Sequence, residues 1–206
     1  DFKKYSFSNC RSILPELLSG NVNVGLTTTI RNGDGIIRQV APVMLYKDEF
    51  YPHLAFKVGS DYLLSNASSK DLTIDKNSNL ITGSTKVPLT EEGDVILNWY
   101  GPSETYKTYP FYKVVSDITK KEHSFDFKDK FVIIGATAVG LNDMKSVPVQ
   151  SEVYPGVEVH ATFLNNLLDN NFIKKTDMMT NFLILAMVVV VVGFIVMFSS
   201  STLFNC

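Results

Sequence analysis

A glycine-rich stretch follows an apolar run in the second half of the chain, where residues 131–141 read FVIIGATAVGL. Gly135 and Gly140 have the G-x-x-x-x-G spacing of a phosphate-binding loop, but Leu141 and Asn142 stand where that loop carries Lys and Ser or Thr. Without the lysine, nucleotide binding is not expected. The stretch still follows a predicted strand, and the carboxyl ends of strands are where open α/β sheets hold ligands.

His160 lies on a predicted amphipathic helix. Glu158 is two positions earlier and points to another side, so the pair lacks the H-E-x-x-H spacing of a metalloprotease. His160 shares a helix face with Leu164 and Leu167, which favours a hydrogen-bonded histidine at the margin of the core. A ligand contact or a pH-sensing role is the alternative.

Other residues of chemical interest form no recognisable catalytic or metal-binding set. Asp143 follows the glycine-rich stretch and could cap a loop or pair with Arg38, His160 or a ligand. Asn32 and Asp34 resemble the start of a calcium loop, but Val43 stands where that loop needs an acidic ligand, so a plain hairpin turn is favoured. No G-x-S-x-G elbow is present to place a nucleophilic serine. We therefore expect no catalytic residues, no metal and no cofactor.

Alternating strand and helix patterns would position these residues. Strands are predicted at 21–30, 36–46, 95–100 and 128–135, and helices at 51–64, 110–118 and 155–170, with the stripe Val157, Ala161, Leu164 and Leu168 on the last. Residues 12–19 could form a short helix or a connection. The N-G and D-G pairs of residues 32–35 predict a turn between the first two strands. Pro42 should end the second strand early, bulge it or place it at an edge. Pro52 should lie in the first turn of its helix.

This alternation predicts an α/β domain, with a mixed α+β domain possible, in which a central sheet is flanked by helices. The run FVII is apolar on both faces and suits a central parallel strand.

The carboxyl-terminal segment differs from the rest in charge. All 19 basic and 21 acidic side chains lie at or before Asp177, and Phe182 to Phe198 is continuously apolar. A span needs roughly 20 residues to cross about 30 Å of hydrocarbon. We therefore expect one aqueous domain over residues 1–177 and one transmembrane helix over 178–206. The alternative is a buried core helix or strand.

Composition excludes some classes. A net charge of −2 argues against a nucleic-acid binder, and 45% hydrophobic residues argue against disorder. Two cysteines cannot form a disulfide framework. The opening residues contain neither an initiator Met nor a signal peptide, so we expect the chain to be part of a longer protein.

An ordered series of short motifs resembles the CHASE2 domain over about residues 20–175. The series consists of NGDGIIR (32–38), YPHLA (51–55), VPL (87–89), ILNWYGP (96–102), KFVIIGATA (130–138), GLND (140–143), Pro148, PGVEVHA (155–161) and NNLL (165–168). Each piece is weak alone, and their order makes the resemblance specific.

The resemblance implies an extracytoplasmic sensory domain of a bacterial transmembrane receptor. In that family the domain follows one membrane span and precedes a group of membrane helices and a cytoplasmic output domain, such as an adenylate or guanylate cyclase, a histidine kinase, a Ser/Thr kinase or a diguanylate cyclase. The leading span, the first part of the sensor and the output domain would then lie outside this chain. The chain itself would not be an enzyme, whereas the full-length protein could be one. Lys174 and Lys175 alone would place the sensor on the cytoplasmic side of the membrane, because basic residues are enriched on that side. Long domains, however, cross membranes largely regardless of charge.

A sensor of this kind would couple an unknown small-molecule or protein signal to its output by shifting between two arrangements. Arg38, Thr137, Asp143 and His160 are the candidate ligand-binding residues, and a homodimer is expected in the full-length protein. Two other hypotheses remain: a membrane-anchored envelope protein with a binding or structural role, and an ectodomain enzyme that uses the glycine-rich turn.

Overall fold

A computed structural model of the protein describes residues 5–7, 9, 16, 23–65, 72–138, 140 and 143–203. The chain forms two compact units, Asp1–Ile173 and Lys174–Cys206. The short helix or connection expected over residues 12–19 lies outside the described residues, apart from Glu16.

The first unit is a mixed α/β domain built from small sheets. Its strands are β1 (Ser6–Phe7), β2 (Gln39–Val40), β3 (Val43–Tyr46), β4 (Glu49–Pro52), β5 (Thr73–Ile74), β6 (Asn79–Thr82), β7 (Thr85–Pro88), β8 (Val95–Ile96), β9 (Met144–Val147) and β10 (Gln150–Pro155). Its helices are α1 (Leu54–Ser65), α2 (Phe111–Lys120) and α3 (Gly156–Leu168), and the second unit contains α4 (Met178–Leu203). The α/β prediction is therefore confirmed in its mixed form.

Antiparallel pairing dominates these sheets, and the central sheet expected from the sequence is replaced by four small ones. The sheets have the strand orders β1-β3-β4, β5-β6-β7, β2-β8 and β9-β10, with β1 parallel to β3. The β3–β4 hairpin turns through Lys47 and Asp48, which both have positive φ, as a type I′ turn requires.

Several predicted elements form with altered boundaries. The turn at Asn32 is confirmed by the hydrogen bond from the Gly35 N–H to its carbonyl, 2.8 Å. The strand after it is interrupted at Pro42, which separates β2 from β3 as its missing N–H requires. The helix predicted from Tyr51 begins only at Leu54, because β4 takes residues 49–52 into its hairpin with β3.

Two predicted strands largely fail to form. Within 23–30, the described part of the first one, only Leu26 makes a β-bridge, to His53. The strand at 95–100 is reduced to β8. In both places the β-branched and aromatic residues favour an extended backbone, but a strand also needs a neighbour along its length.

The predicted central strand at 128–135 is wrong. Phe131, Val132, Ile133 and Ile134 are exposed and belong to no sheet. Among the described residues, no backbone hydrogen bond joins this segment to another strand. An apolar run indicates burial only if other strands flank it, whereas here the Tyr62 ring packs 5.2 Å from that of Phe131 and no strand lies beside the run among the described residues.

The core of the first unit lies between α1 and α3. The rings of Phe56 and Phe163 stack with centroids 6.5 Å apart. Gly59 allows close helix contact, because a Cβ there would lie 3.1 Å from methyl carbons of both Leu164 and Leu167. The cluster of buried apolar side chains comprises Ile37, Val40, Ala55, Phe56, Leu80, Val87, Val95, Leu97, Val147, Tyr154, Val159, Phe163, Leu164 and Leu167.

Helix α3 forms as predicted but buries a different face. The fully buried apolar residues are Val159, Phe163 and Leu167, whereas Val157, Ala161 and Leu168 of the predicted stripe are only partly buried. Polar residues of the same helix are buried as well. This wide burial leaves no side of the first two turns fully in water, so a single apolar stripe does not describe the helix.

The buried polar side chains of α3 each have partners. Asn166 accepts the Asn98 N–H through Oδ1 and donates through Nδ2 to the Asn98 carbonyl, both at 2.9 Å. Glu158 accepts the backbone N–H of Glu104 at 3.1 Å. Thr162 Oγ1 accepts from the Tyr106 hydroxyl at 3.2 Å. These bonds attach α3 to residues 98–106, which follow β8 and belong to no sheet.

The second unit is one long apolar helix. Asp177 caps it by accepting the Thr180 N–H at 3.2 Å and by bonding to the Thr180 hydroxyl, and the pKa of its carboxyl is lowered, first by that hydroxyl. The stretch Met178–Ser199 is long and apolar enough to cross a membrane, and none of its most apolar window is buried.

We predict that Asn166→Ala lowers the free energy of unfolding by about 1–3 kcal/mol, because it leaves the partly buried Asn98 N–H and C=O without their partner. Urea unfolding of the full chain in detergent, followed by the single tryptophan Trp99, measures this. Asn165→Ala is the matched control, since the Asn165 side chain bonds to Asp169 one turn later on the same helix end and is partly exposed. Equal costs for the two variants would contradict the role of the Asn98–Asn166 pair.

Candidate functional site

His53 lies at the junction between β4 and α1 and is fully buried. Its N–H donates to the Pro42 carbonyl at 2.9 Å, and its own carbonyl accepts the first helical bond from Lys57, 2.8 Å. Its ring Nδ1 accepts the Ala55 N–H at 3.2 Å. The imidazole thus serves as the amino-terminal cap of α1, a role more often taken by Ser, Thr, Asp or Asn.

This cap determines which nitrogen of His53 carries the proton. Because Nδ1 accepts a hydrogen bond, the neutral ring is protonated on Nε2. Nε2 lies 3.2 Å from Nδ1 of His160 and therefore donates to it. His160 in turn carries its proton on Nε2. The two rings lie 4.9 Å apart, and the Phe163 ring packs edge-on against His53 at 5.3 Å.

The surroundings of the histidine pair favour the neutral form of both rings. Burial lowers the pKa of His53 well below its usual 6.5, and the adjacent His160 lowers it further. Burial also lowers the pKa of His160; the negative charge of Asp143 opposes this effect and the positive charge of Lys145 adds to it. A proton added to His160 Nδ1 would break the bond between the rings, and a proton added to His53 Nδ1 would break its bond with the Ala55 N–H.

Asp143 is held at the start of α3. Its carbonyl accepts the Gly156 N–H at 2.8 Å, and its carboxylate forms an ion pair with Lys145 Nζ at 3.0 Å. A Cβ on Gly156 would lie 2.4 Å from Asp143 Oδ1, so any larger residue there would have to push the carboxylate aside. The amino-terminal end of a helix also favours a negative charge.

The structure brings two of the four candidate ligand residues together. Asp143 lies close enough to His160 for its negative charge to act on the pKa of the ring. Thr137 is exposed two residues beyond Gly135, whose Cα faces Val157 at the start of α3, because a Cβ there would meet Val157 at 2.6 Å. That Thr137, Asp143 and His160 bind a ligand stays a prediction.

Arg38 does not join them. Its guanidinium binds Asp34 through both nitrogens, at 3.0 and 2.8 Å. This pair raises the pKa of Arg38 and lowers that of Asp34. Asp143, which could have paired with Arg38, pairs with Lys145 instead.

Sequence reasoning missed His53 and Lys145. His53 is 107 residues from His160, so no spacing rule connects them. Lys145 is two positions after Asp143, and the period of two in extended chain places such residues on one face, which is a signal that could have found it. Val139, Leu141 and Asn142, part of the predicted glycine-rich turn, lie outside the described residues.

The arrangement can respond to protons and charged groups. His160, one ring of the buried neutral pair, feels the charges of the Asp143 carboxylate and the Lys145 ammonium group, which lie nearer the surface. In the part of the chain that the structure describes, no group of three or more His, Cys, Asp or Glu side chains is placed to hold a metal ion.

The family model of the CHASE2 domain matches residues 6–199. The chain belongs to the CHASE2 family. No curated protein and no solved structure is similar to it at a significant level. CHASE2 domains are extracellular sensory domains of signalling receptors and are not themselves catalytic. The histidine pair and the Asp143–Lys145 ion pair therefore lie within a sensory domain.

We predict that this CHASE2 domain loses stability in acid. The folded pKa values of His53 and His160 lie below the unfolded value near 6.5, so the unfolded chain binds protons that the folded one resists. The free energy of unfolding should therefore fall as the pH drops through and below 6.5. Urea titrations between about pH 7.5 and about pH 5.5 measure the slope.

His160→Asn should flatten that slope, because one titrating ring is gone while the amide oxygen can still accept from His53. His123→Asn is the control: His123 is exposed and is the only other histidine of the chain. If His123→Asn flattened the slope and His160→Asn left it unchanged, the pair would not be the acid-sensitive element.

Gly156→Ala should lower the free energy of unfolding by up to about 1 kcal/mol relative to Gly33→Ala, because the new methyl group forces the flexible Asp143 carboxylate out of its ion pair with Lys145. Gly33→Ala is the matched control, since nothing lies within 4 Å of a Cβ there. Urea unfolding of the three proteins compares the two changes. Equal effects of the two changes would contradict a stabilising role of the Asp143–Lys145 ion pair.

Proposed function

We propose that the chain is the extracytoplasmic sensor region of a bacterial transmembrane receptor and that it couples detection of a signal to a cytoplasmic output domain. The observation that carries the proposal is the CHASE2 match, which extends to residue 199 and so takes in the membrane-span candidate Met178–Ser199. In this proposal residues 1–177 are the sensor and residues 178–206 the transmembrane helix.

The output domain in this proposal is a nucleotide cyclase, with a histidine or Ser/Thr kinase as the other choice, and the full-length receptor works as a homodimer. The signal is a small molecule or a protein. It changes the output only if it binds one arrangement of the sensor more tightly than the other.

The route by which a signal would leave the sensor begins at the end of α3. Asn98 donates through Nδ2 to Asn171 at 3.0 Å, and the Tyr100 hydroxyl donates to Asp169 at 3.1 Å. Ile173 then forms a β-bridge with Ile96. The residues that precede Lys174 are thus fixed to β8, and a displacement of α3 within the sensor would move them.

Asp143 and His160 are the residues that we propose contact the signal, and Thr137 is a third candidate. Asp143 is partly exposed and its charge is balanced by Lys145, so a charged ligand group can compete for either partner. Arg38 retains a role only if a ligand displaces Asp34 from its guanidinium.

A topology experiment tests the placement. In intact cells that express the complete gene, a membrane-impermeant maleimide should label Thr119→Cys in a Cys10→Ser, Cys206→Ser background, because Thr119 is exposed in the sensor. Cys206, retained alone as the matched control, should be labelled only after lysis, because α4 carries the chain across the membrane. Labelling of both positions from outside, or of neither, would overturn the proposal.

A binding experiment tests the site. Compounds that raise the melting temperature of the full chain in nanodiscs would be titrated against Asp143→Ala and Asp61→Ala. Asp61 is the control because its exposed carboxylate pairs with Lys57 on the surface of α1. Equal affinities for wild type and Asp143→Ala would remove Asp143 from the site.

A further inference from the structure

Helix α2 presents its apolar side chains to solvent. Phe111, Val115 and Ile118 follow the i, i+4, i+7 spacing of one helix face, and they are 64%, 43% and 68% exposed. Tyr112 beside them is 69% exposed, whereas Asp117 of the same helix is only 6% exposed. A helix on a domain surface in water normally has the reverse orientation.

Hydrogen bonds at the carboxyl-terminal end of α2 fix this orientation. Asp117 Oδ1 accepts the Ser124 N–H at 2.8 Å. The pKa of its carboxyl is lowered first by a hydrogen bond from the Ser124 side chain and then by this backbone bond. The helix ends at Lys121 in the left-handed conformation, and the Glu122 N–H returns to the Asp117 carbonyl at 3.1 Å. Turning the apolar face inward would break these bonds and expose Asp117.

The neighbouring aromatic side chains do not cover the apolar face of α2. The Tyr109 ring packs against those of Phe125 and Phe127, with centroids 4.8 and 6.1 Å away. These three partly buried rings pack against one another, one just before the helix and two just after it. They hold the two ends of α2 together, while its own apolar side chains stay exposed.

The charges around α2 indicate what could cover it. Lys113 and Lys120 are exposed on the side away from Phe111, and Lys121 follows directly. Glu122 is the nearest exposed acid, with its carboxylate 3.9 Å from Lys120. Aromatic and aliphatic side chains on one face with lysines on the other are typical of helices that lie on a membrane surface.

A second copy of the chain fits this face less well. A helix of ten residues is about 15 Å long, and four side chains on it bury far less than the roughly 800 Å² per partner of a stable interface. A lipid surface needs no such area, because a chain already held in the bilayer by Met178–Ser199 meets it at high effective concentration.

We propose that α2 docks on the surface of an anionic lipid bilayer, with Phe111, Tyr112, Val115 and Ile118 at the boundary between headgroups and acyl chains. The lysines of the helix then contribute attraction to the anionic headgroups. This contact is separate from signal binding and from the output domain, but it rests on the proposed membrane span Met178–Ser199.

Fluorescence quenching in nanodiscs tests the contact. The full chain in a Cys10→Ser, Cys206→Ser background would carry an environment-sensitive dye at Tyr112→Cys or, as the matched control on the opposite face, at Lys120→Cys. In discs of phosphatidylcholine with phosphatidylglycerol, a spin label at the headgroup depth should quench the dye at position 112 several-fold more than at position 120. Pure phosphatidylcholine should reduce the difference.

Phe111→Ser combined with Ile118→Ser should bring the quenching at position 112 down to that at 120; both side chains are exposed, so the fold should tolerate the change. Equal and weak quenching at the two positions in anionic discs would overturn the proposal. So would dye self-quenching at position 112 that appears only with two chains per disc and without lipid quenching, because it would identify a second copy as the partner.

Discussion

The burial of α3 is the constraint on which the rest of the sensor depends. A helix surrounded on nearly all sides cannot leave polar side chains to water, and an unpaired buried polar group costs about 1–3 kcal/mol. Glu158, His160, Thr162 and Asn166 are all buried, and each has a partner on a different part of the chain. The helix therefore connects the loop after β8, the start of α1 and residues 104–106 through specific bonds as well as through apolar packing.

That arrangement gives a physical basis for the proposed coupling. Small sheets with short ladders do little to hold the sensor together, so a change at one partner of α3 is not absorbed by a large rigid sheet. His53 and His160 link the start of α3 to the cap of α1, while Asn98 and Asn166 link its last turns to β8. A signal that alters the first link can reach the second along one helix, and Ile173 is tied to the same β8.

The sequence alone was enough for the features that depend on local signals. The α4 helix follows from an uncharged apolar run, the break at Pro42 from a missing N–H, and the turn at Asn32 from N-G and D-G pairs. The motif series led to the CHASE2 family, which the family match confirms.

Features that depend on distant partners could not be predicted. Residues 131–134 look like a buried strand by composition, yet a strand is defined by neighbours that the run itself does not specify. The face of α3 was misjudged because Asn166 and Thr162 count as polar in a hydrophobic pattern although bonds from distant residues allow their burial. The contact between His53 and His160 joins residues 107 positions apart, and only the fold brings them together.

Hydrogen–deuterium exchange of the full chain in nanodiscs tests this account most directly, because it measures how well each backbone amide is protected. The account predicts that α3 is the slowest-exchanging helix of the sensor, that residues 131–134 exchange fastest among its apolar segments, and that α4 is protected by lipid although no protein covers it. Exchange in α3 as fast as in residues 131–134, or rapid exchange along α4 in the bilayer, would contradict it.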